Sequence, residues 1–80
     1  MRAQVIVRLK NGVLDPQGEA VMSSLGSLGF NEVNQVRISK LIEIELDAEN
    51  SEVAKEQVTQ MADRLLANPV IESFDVEVLP

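Results

Sequence analysis

The 80-residue sequence contains no cysteine and no histidine. Their absence excludes disulfide bonds and the usual ligands of zinc and haem, and it leaves no partner to activate a serine nucleophile. A chain without cysteine also fits a reducing compartment. Tryptophan and tyrosine are absent too, and Phe30 and Phe74 are too few to form a platform on which nucleic-acid bases stack.

Basic residues and long apolar runs are also scarce. The chain has 7 Lys and Arg residues against 13 Asp and Glu residues, so its net charge is −6. An acidic chain repels the phosphate backbone, and we therefore expect no binding to nucleic acid. Arg8 and Lys10 interrupt the apolar residues near the N-terminus, so the sequence predicts neither a signal peptide nor a membrane span. We expect a cytoplasmic protein.

The motifs of common active sites are missing. Neither G-x-x-x-x-G-K-[ST] nor G-x-G-x-x-G occurs, and the GSLG segment at residues 26–29 is interpreted as the end of a helix. Acidic residues on strand faces are interpreted as solvated surface, with a Mg²⁺ site or catalytic pair as the weaker alternative. These residues are Glu43, Glu45, Asp47, Asp75 and Glu77. We predict no catalytic, cofactor-binding or metal-binding residue on this chain.

Alternation and turn residues predict the elements of the first half. Residues 3–9 alternate between apolar and polar, which is typical of a half-buried strand. The Asn-Gly pair at 11–12 predicts a turn, and the Asp-Pro pair at 15–16 predicts a helix start. Apolar residues at positions 21, 25 and 28 give this helix one apolar face, and Gly29 is expected to end it. The first helix is therefore predicted over residues 16–28.

Residues 35–47 carry the most unusual pattern. Apolar and polar residues alternate in one phase, with Lys40 and Leu41 as the exceptions, and no glycine, proline or asparagine interrupts them. A strand of this length reaches about 43 Å at roughly 3.3 Å per residue. A compact domain of this size is only about 30 Å across. We therefore expect the strand to overhang its own domain or to bend sharply near Ser39.

The second half predicts another helix and a last strand. The helix begins near Asn50 or Ser51, either of which is a suitable N-cap, and the Asn-Pro pair at 68–69 ends it. The last strand is predicted over residues 70–79. The order β-α-β-α-β, without repeat or linker, predicts one domain over residues 1–80. Its expected class is α+β: a two-layer sandwich related to ferredoxin-like folds, with a mainly antiparallel sheet, two helices on one face and a long bent second strand.

The long strand also predicts self-association through the sheet. An apolar strand edge that remains unpaired is an aggregation hazard, and two copies could pair antiparallel about a twofold axis near Leu41. That register sets Arg37 opposite Glu45, whereas centring on Lys40 would bring two ammonium groups together. A bent strand inside a monomer is the alternative.

We hypothesise a dimer or partner interface along this segment. Arg37 and Lys40 would set the register, or would contact an acidic partner or a ligand phosphate; otherwise they balance local charge. The residues expected at the interface are Val36, Arg37, Ile38, Lys40, Leu41, Ile42, Ile44 and Leu46.

Four stretches of the chain resemble signature segments of the PurS family. They read VLDPQG at 13–18, LGFNEV at 28–33, VRISK at 36–40 and LLANPVIESF at 65–74. The stretches stand in the family's order and together cover nearly the whole chain. Ser39 departs from the pattern, because the family usually has glycine there. If this position needs a positive φ, serine would be strained in it.

The resemblance implies a role in purine synthesis. PurS is the small subunit of phosphoribosylformylglycinamidine synthase, a carbon–nitrogen ligase in which PurQ releases ammonia from glutamine. PurL, the synthetase subunit, uses ATP and Mg²⁺ to activate formylglycinamide ribonucleotide. The family resemblance implies a dimer or tetramer that joins these two subunits and supports ammonia transfer. It implies no cofactor and no catalytic residue on this chain.

Two other functions remain open from the residues alone. A ferredoxin-like regulatory domain would bind an amino acid or nucleotide at a subunit interface. An independent small enzyme is disfavoured, because the chain has no His, no Cys and no phosphate-binding loop. Fold by itself does not distinguish these functions.

Overall fold

The computed structural model describes residues 1–80. Its element order is β-α-β-α-β, as predicted, and α2 ends in a widened turn whose amides bond five residues back, as Ala67 N does to the Ala62 carbonyl. The elements are β1 (Arg2–Leu9), α1 (Pro16–Ser27), β2 (Lys40–Glu45), α2 (Ser51–Met61) with its π-helical turn (Ala62–Leu66), and β3 (Glu72–Leu79).

The three strands form one antiparallel sheet in the order β2-β1-β3. Val5 of the central strand lies opposite Ile42 on one side and Val76 on the other. Partners in antiparallel strands share a face, so these three residues form an apolar row on one side of the sheet. The next row on the same side, Ala3 with Ile44 and Val78, repeats the pattern.

Helix α2 covers this apolar side and closes a small core. The buried cluster consists of Ala3, Val5, Val7, Val58, Ala62 and Ala67, none larger than valine. Small residues let the helix approach the sheet closely, but each contributes little apolar area. The core is therefore thin, as a chain of 80 residues leads one to expect.

Helix α1 has the ends that the sequence predicts. The side chain of Asp15 accepts a hydrogen bond from the Gly18 amide, and Pro16 is the first helical residue. At the other end Gly29 has φ of +98°, its amide donates to the Gly26 carbonyl, and the Phe30 amide donates to the Leu25 carbonyl. This pair of bonds is the Schellman arrangement, which satisfies the last carbonyls of a helix.

The α+β class and the antiparallel sheet are confirmed, but only α2 lies on the sheet within this chain. Helix α1 has no more than marginal contact with any strand or with α2. The molecule is consequently elongated, with extents of 50 × 27 × 14 Å and a radius of gyration of 16.0 Å. A compact chain of this length would have a radius of gyration of about 12 Å.

The second strand is shorter than the predicted span of residues 35–47. β2 begins at Lys40, opposite Val7, and ends at Glu45, opposite Arg2. Before Lys40 the backbone bonds elsewhere, because the Ile38 amide donates to the carboxylate of Asp15 rather than to a neighbouring strand. Of the segment with the alternating pattern, only residues 40–45 are paired in the sheet.

The last strand begins two residues later than predicted, at Glu72. Asn68 holds a turn there, because its side chain accepts from the Val70 amide and its carbonyl accepts from the amides of Ile71 and Glu72. At the start of α2, Asn50 rather than Ser51 is the cap, and its side chain accepts from the Val53 amide at 2.9 Å. No helix in the molecule is both long enough and apolar enough to cross a bilayer.

Candidate assembly surface

Helix α1 and the chain on either side of it form an arm that leaves its apolar residues uncovered. We define the arm as residues 13–38. Val21, Leu25 and Leu28, which we call the apolar stripe, share one face of α1 by their spacing. Val21 is 40% exposed and Leu28 is 73% exposed. Phe30, just beyond the helix, is 51% exposed. Uncovered apolar groups in continuous array are typical of interaction surfaces.

Strand β2 is the second uncovered part of the molecule. It lies at the edge of the sheet, so one row of its backbone amides and carbonyls has no strand partner in this chain. Helix α2 lies over β1 and β3, and it leaves the apolar side chains of Ile42 and Ile44 half-buried. On the opposite side of the strand, Leu41 is 55% exposed.

The base of the arm is closed by Asp15, the one buried polar residue of the chain. One carboxylate oxygen accepts from the Gly18 amide at 2.9 Å, and the other accepts from the Ile38 amide at 2.8 Å. The bond from Ile38, followed by that from Gly18, holds the pKa of the Asp15 carboxyl below its ordinary value, and the nearby positive charge of Arg37 adds to the effect. Asp15 is therefore ionised at neutral pH.

Gly18 allows the returning chain to lie directly against α1. A Cβ atom at this position would collide with the carbonyl oxygen of Val36, so no other residue fits without movement of the backbone. Gly26 provides the contrast, since a Cβ there would meet nothing within 4 Å. The segment around Val36 is thus held to the first turn of α1 by backbone contact.

Arg37 links the arm to the end of the sheet. Its guanidinium donates to the carbonyl of Val13 at 3.0 Å and to those of Leu9 and Lys10 at 3.2 Å each. These acceptors lie at the end of β1 and in the loop that follows. The Lys10 amide in turn donates to the Ile71 carbonyl at 2.8 Å, which connects this loop to the start of β3.

The structure places the predicted interface residues in two groups. Val36, Arg37 and Ile38 lie at the base of the arm, where the donors of Arg37 are directed to this chain's own carbonyls. Lys40 begins the edge strand with its side chain 67% exposed, and its Nζ is 4.0 Å from the Glu72 carboxylate. The remaining four residues belong to the edge strand or follow it: Leu41, Ile42, Ile44 and Leu46.

Sequence reasoning missed two residues of this surface. It assigned Asp15 only to the start of a helix, and it gave Gly18 no structural role. A signal was present, because the resemblance rested on residues 13–18 and 36–40, and these two stretches contact each other in the structure. Periodicity describes only local structure, so it does not show that two segments far apart in sequence contact each other.

The rest of the surface offers little for small-molecule chemistry. The depressions on the molecule are open to solvent, including one lined by Arg2, Gln4 and Glu43 on the open face of the sheet. Sites for small ligands usually bury most of the ligand. No three acidic side chains are grouped so that they could hold a metal ion.

Comparison with protein families matches residues 2–80 to the model described as PurS, phosphoribosylformylglycinamidine (FGAM) synthase. The chain is 46% identical over 77 residues to phosphoribosylformylglycinamidine synthase subunit PurS of Methanocaldococcus jannaschii, a match that covers 96% of this chain and 93% of that protein. It is 43% identical over 77 residues to the subunit of the same name from Bacillus subtilis, covering 96% and 90%.

Solved structures give the same result. The crystal structure of PurS from Methanocaldococcus jannaschii, one of the subunits of formylglycinamide ribonucleotide amidotransferase in the purine biosynthetic pathway, superposes with a TM-score of 0.86 at 45% identity, covering 95% of this chain and 92% of that one. A chain in the structure of PurLQS from Thermotoga maritima superposes with a TM-score of 0.88 at 35% identity, covering 98% and 95%.

Proposed function

Because this chain belongs to the PurS family, we propose that it acts as the small, non-catalytic subunit of phosphoribosylformylglycinamidine synthase and joins the other two subunits. The likeness to a chain of the PurLQS structure over nearly its full length is the observation that carries the proposal. In this complex the chain belongs to a ligase of purine biosynthesis without contributing reacting groups of its own.

The proposal assigns the chemistry to the partners. The glutaminase subunit, PurQ, releases ammonia, and the synthetase subunit, PurL, consumes it with ATP and Mg²⁺ in the cytoplasm. A subunit that binds both partners holds their sites in a fixed relation, which supports ammonia transfer between them. Such a subunit needs contact surface rather than a pocket, and the apolar stripe and the edge strand β2 are surfaces of that kind.

We further propose that the chain self-associates through these surfaces. The free edge of β2 provides backbone groups for antiparallel pairing about a twofold axis near Leu41, as the sequence predicts. The apolar side of β2 is only partly covered by α2, and α1 has an apolar stripe that its own sheet does not cover. In a pair of copies, the stripe of one chain is complementary to the uncovered strand of the other.

The decisive experiment separates the two sources of nitrogen. The synthetase subunit is assayed with ammonium chloride, and then with glutamine and the glutaminase subunit, in the presence and absence of this chain. We expect the chain to be required for the glutamine-dependent reaction and dispensable for the ammonia-dependent one. A pull-down with glutamine and ADP-Mg²⁺ present should recover all three subunits. Equal glutamine-dependent rates without the chain would overturn the proposal.

A further inference from the structure

The direction of the arm is not set by a hydrophobic core. Helix α1 has only marginal contact with the strands and with α2, and its stripe residues Val21 and Leu28 remain exposed. In most small domains, apolar packing determines how a helix lies on a sheet. Here another set of interactions must hold the helix in place, and the polar contacts at the base of the arm are the available ones.

Asp15 closes the base of the arm from both sides. Its two carboxylate oxygens accept from amides that are far apart in sequence, those of Gly18 in the first turn of α1 and Ile38 at the end of the arm. The carboxylate is buried, so water competes little for these bonds. Hydrogen bonds to a charged acceptor are stronger than those between neutral groups.

Arg37 connects this closed base to the sheet. Its guanidinium reaches the carbonyls of Leu9 and Lys10 at the end of β1 and that of Val13 at the start of the arm. Three acceptors on a planar, rigid donor restrict rotation as well as separation, which a single bond does not. Asp15 thus holds the two ends of the arm together, and Arg37 holds them to the end of β1.

We propose that Asp15 and Arg37 form a joint that holds the arm at a fixed angle to the sheet and so presents the apolar stripe to a second copy of the chain in one orientation. The second half of this proposal rests on the function proposed above. A preformed surface loses less conformational entropy on binding than a mobile one does, so the joint strengthens assembly without contacting the partner. In this scheme Asp15 and Arg37 are positioning residues.

The absence of cysteine allows a direct measurement of the angle. Ser24→Cys in α1 and Glu77→Cys in β3 introduce the only thiols of the chain, and both parent residues are exposed. Spin labels at these two positions, in chain diluted with excess unlabelled protein, report the distance from arm to sheet within one molecule. We expect a narrow distance distribution for this reference protein.

Three variants in the labelled background test the joint. Asp15→Asn retains a good helix cap, since its side-chain oxygen can still accept from the Gly18 amide. Its NH2 group then faces the Ile38 N–H, so the hydrogen bond from Ile38 is lost. Arg37→Lys retains the charge but not the fork of donors. Glu19→Gln, in the first turn of α1, is the control because it removes one negative charge and no hydrogen bond seen in the structure. We expect broad distributions for the first two variants and the reference distribution for the control.

Assembly is measured with the unlabelled variants, both for self-association and for binding to the synthetase and glutaminase subunits. We expect the dissociation constants of Asp15→Asn and Arg37→Lys to rise by about tenfold or more. Their far-UV circular dichroism spectra should remain those of the parent. Glu19→Gln should bind normally.

The outcomes separate the joint from the proposed function. A narrow distribution in Asp15→Asn, or a broad one in Glu19→Gln, would overturn the joint. Broad distributions with unchanged binding would overturn its role in assembly and leave the proposed function intact. If the parent chain binds neither partner subunit, the proposed function fails, while the distance measurement still decides whether these residues hold the arm.

Discussion

In the half of the chain made by the sheet and α2, the apolar side chains of Val5, Val7 and Val58 are at most 1% exposed. In the arm, Leu28 and Phe30 are 73% and 51% exposed. The sheet and α2 have the burial that an independent domain needs, whereas the arm has apolar residues that the rest of the chain does not cover. The difference agrees with a sheet region that buries its own core and an arm whose apolar residues are left for the association proposed above.

The largest effect should come from placing a charge in the sheet half. Val58→Asp buries a carboxylate beside valine and alanine side chains, at a cost of several kcal/mol. A chain of this size has a total stability of about 4–12 kcal/mol, so we expect the variant to be largely unfolded. Circular dichroism during heating measures this. The matched variant Val21→Asp, in the arm, should melt close to the parent.

The second effect concerns association. Leu28→Asp places a charge in the apolar stripe, and Leu41→Arg places two guanidinium groups side by side at the proposed twofold axis. We expect self-association to weaken by about a hundredfold while the melting of the diluted chain changes little. Sedimentation over a concentration series measures this. Val33→Asp, at a half-buried position of the arm outside the apolar stripe, tests whether any charge in the arm weakens self-association to the same extent.

Gly18 gives a smaller effect confined to the base of the arm. Gly18→Ala would press a methyl group against the carbonyl of Val36, and we expect a cost of about 2 kcal/mol. Gly26→Ala, in the same helix with open space around it, should instead stabilise α1 by about 0.5–1 kcal/mol. Hydrogen exchange of the α1 amides measures both. A stabilising effect of Gly18→Ala would contradict the close packing of Gly18 against Val36.

The pH dependence of the arm follows from Asp15. Its pKa is lowered in the folded chain, so its stabilisation is fully present above the unfolded pKa of about 3.9 and is lost as pH falls through the lower folded value. Between pH 7 and pH 5 this carboxylate should cause no change in α1 protection. Below about pH 4 the parent should lose protection at the Ile38 amide. Asp15→Asn should lack that acid transition.

The smallest effect is expected at the surface of the sheet. Arg8 pairs with Asp75 at 2.8 Å, with 47% and 68% of the two side chains exposed. Solvent screens such a pair, so Arg8→Ala should change the free energy of unfolding by less than about 1 kcal/mol. Denaturant titration measures this. A larger loss would mean that the open face of the sheet contributes more to stability than the exposed pair suggests.

Much of the local structure could be predicted from the residues. The turn at Gly12, the cap at Asp15, the end of α1 at Gly29 and the end of the second helix before Pro69 all follow from backbone preferences of those residue types. The alternation in residues 35–47 predicted a strand that the structure has only over residues 40–45. Apolar and polar residues can alternate both in a strand that is paired in a sheet and in an unpaired segment whose backbone is bound by a side chain. The alternation alone therefore does not show which residues pair.

The proposed interface residues lie in one segment of the sequence, but the contacts that some of them make within the chain could not be predicted from it. The strand edge at Leu41 was accessible to reasoning from alternation. The use of Arg37 within the chain was not, because the carbonyls that accept from it come from Leu9, Lys10 and Val13, more than twenty residues away. Side-chain pattern does not show which backbone groups lack partners in the folded chain.

The sequence by itself determined the order of the elements, the ends of α1 and the faces on which apolar residues lie, because these depend on residues within a few positions of one another. Only the tertiary structure decided the strand order β2-β1-β3 and the separation of α1 from the sheet. Both depend on contacts across the chain, such as Asp15 with Ile38 and Gly18 with Val36. Periodicity shows which face of a helix or strand is apolar. The long-range contacts determine whether other residues of the same chain bury that face.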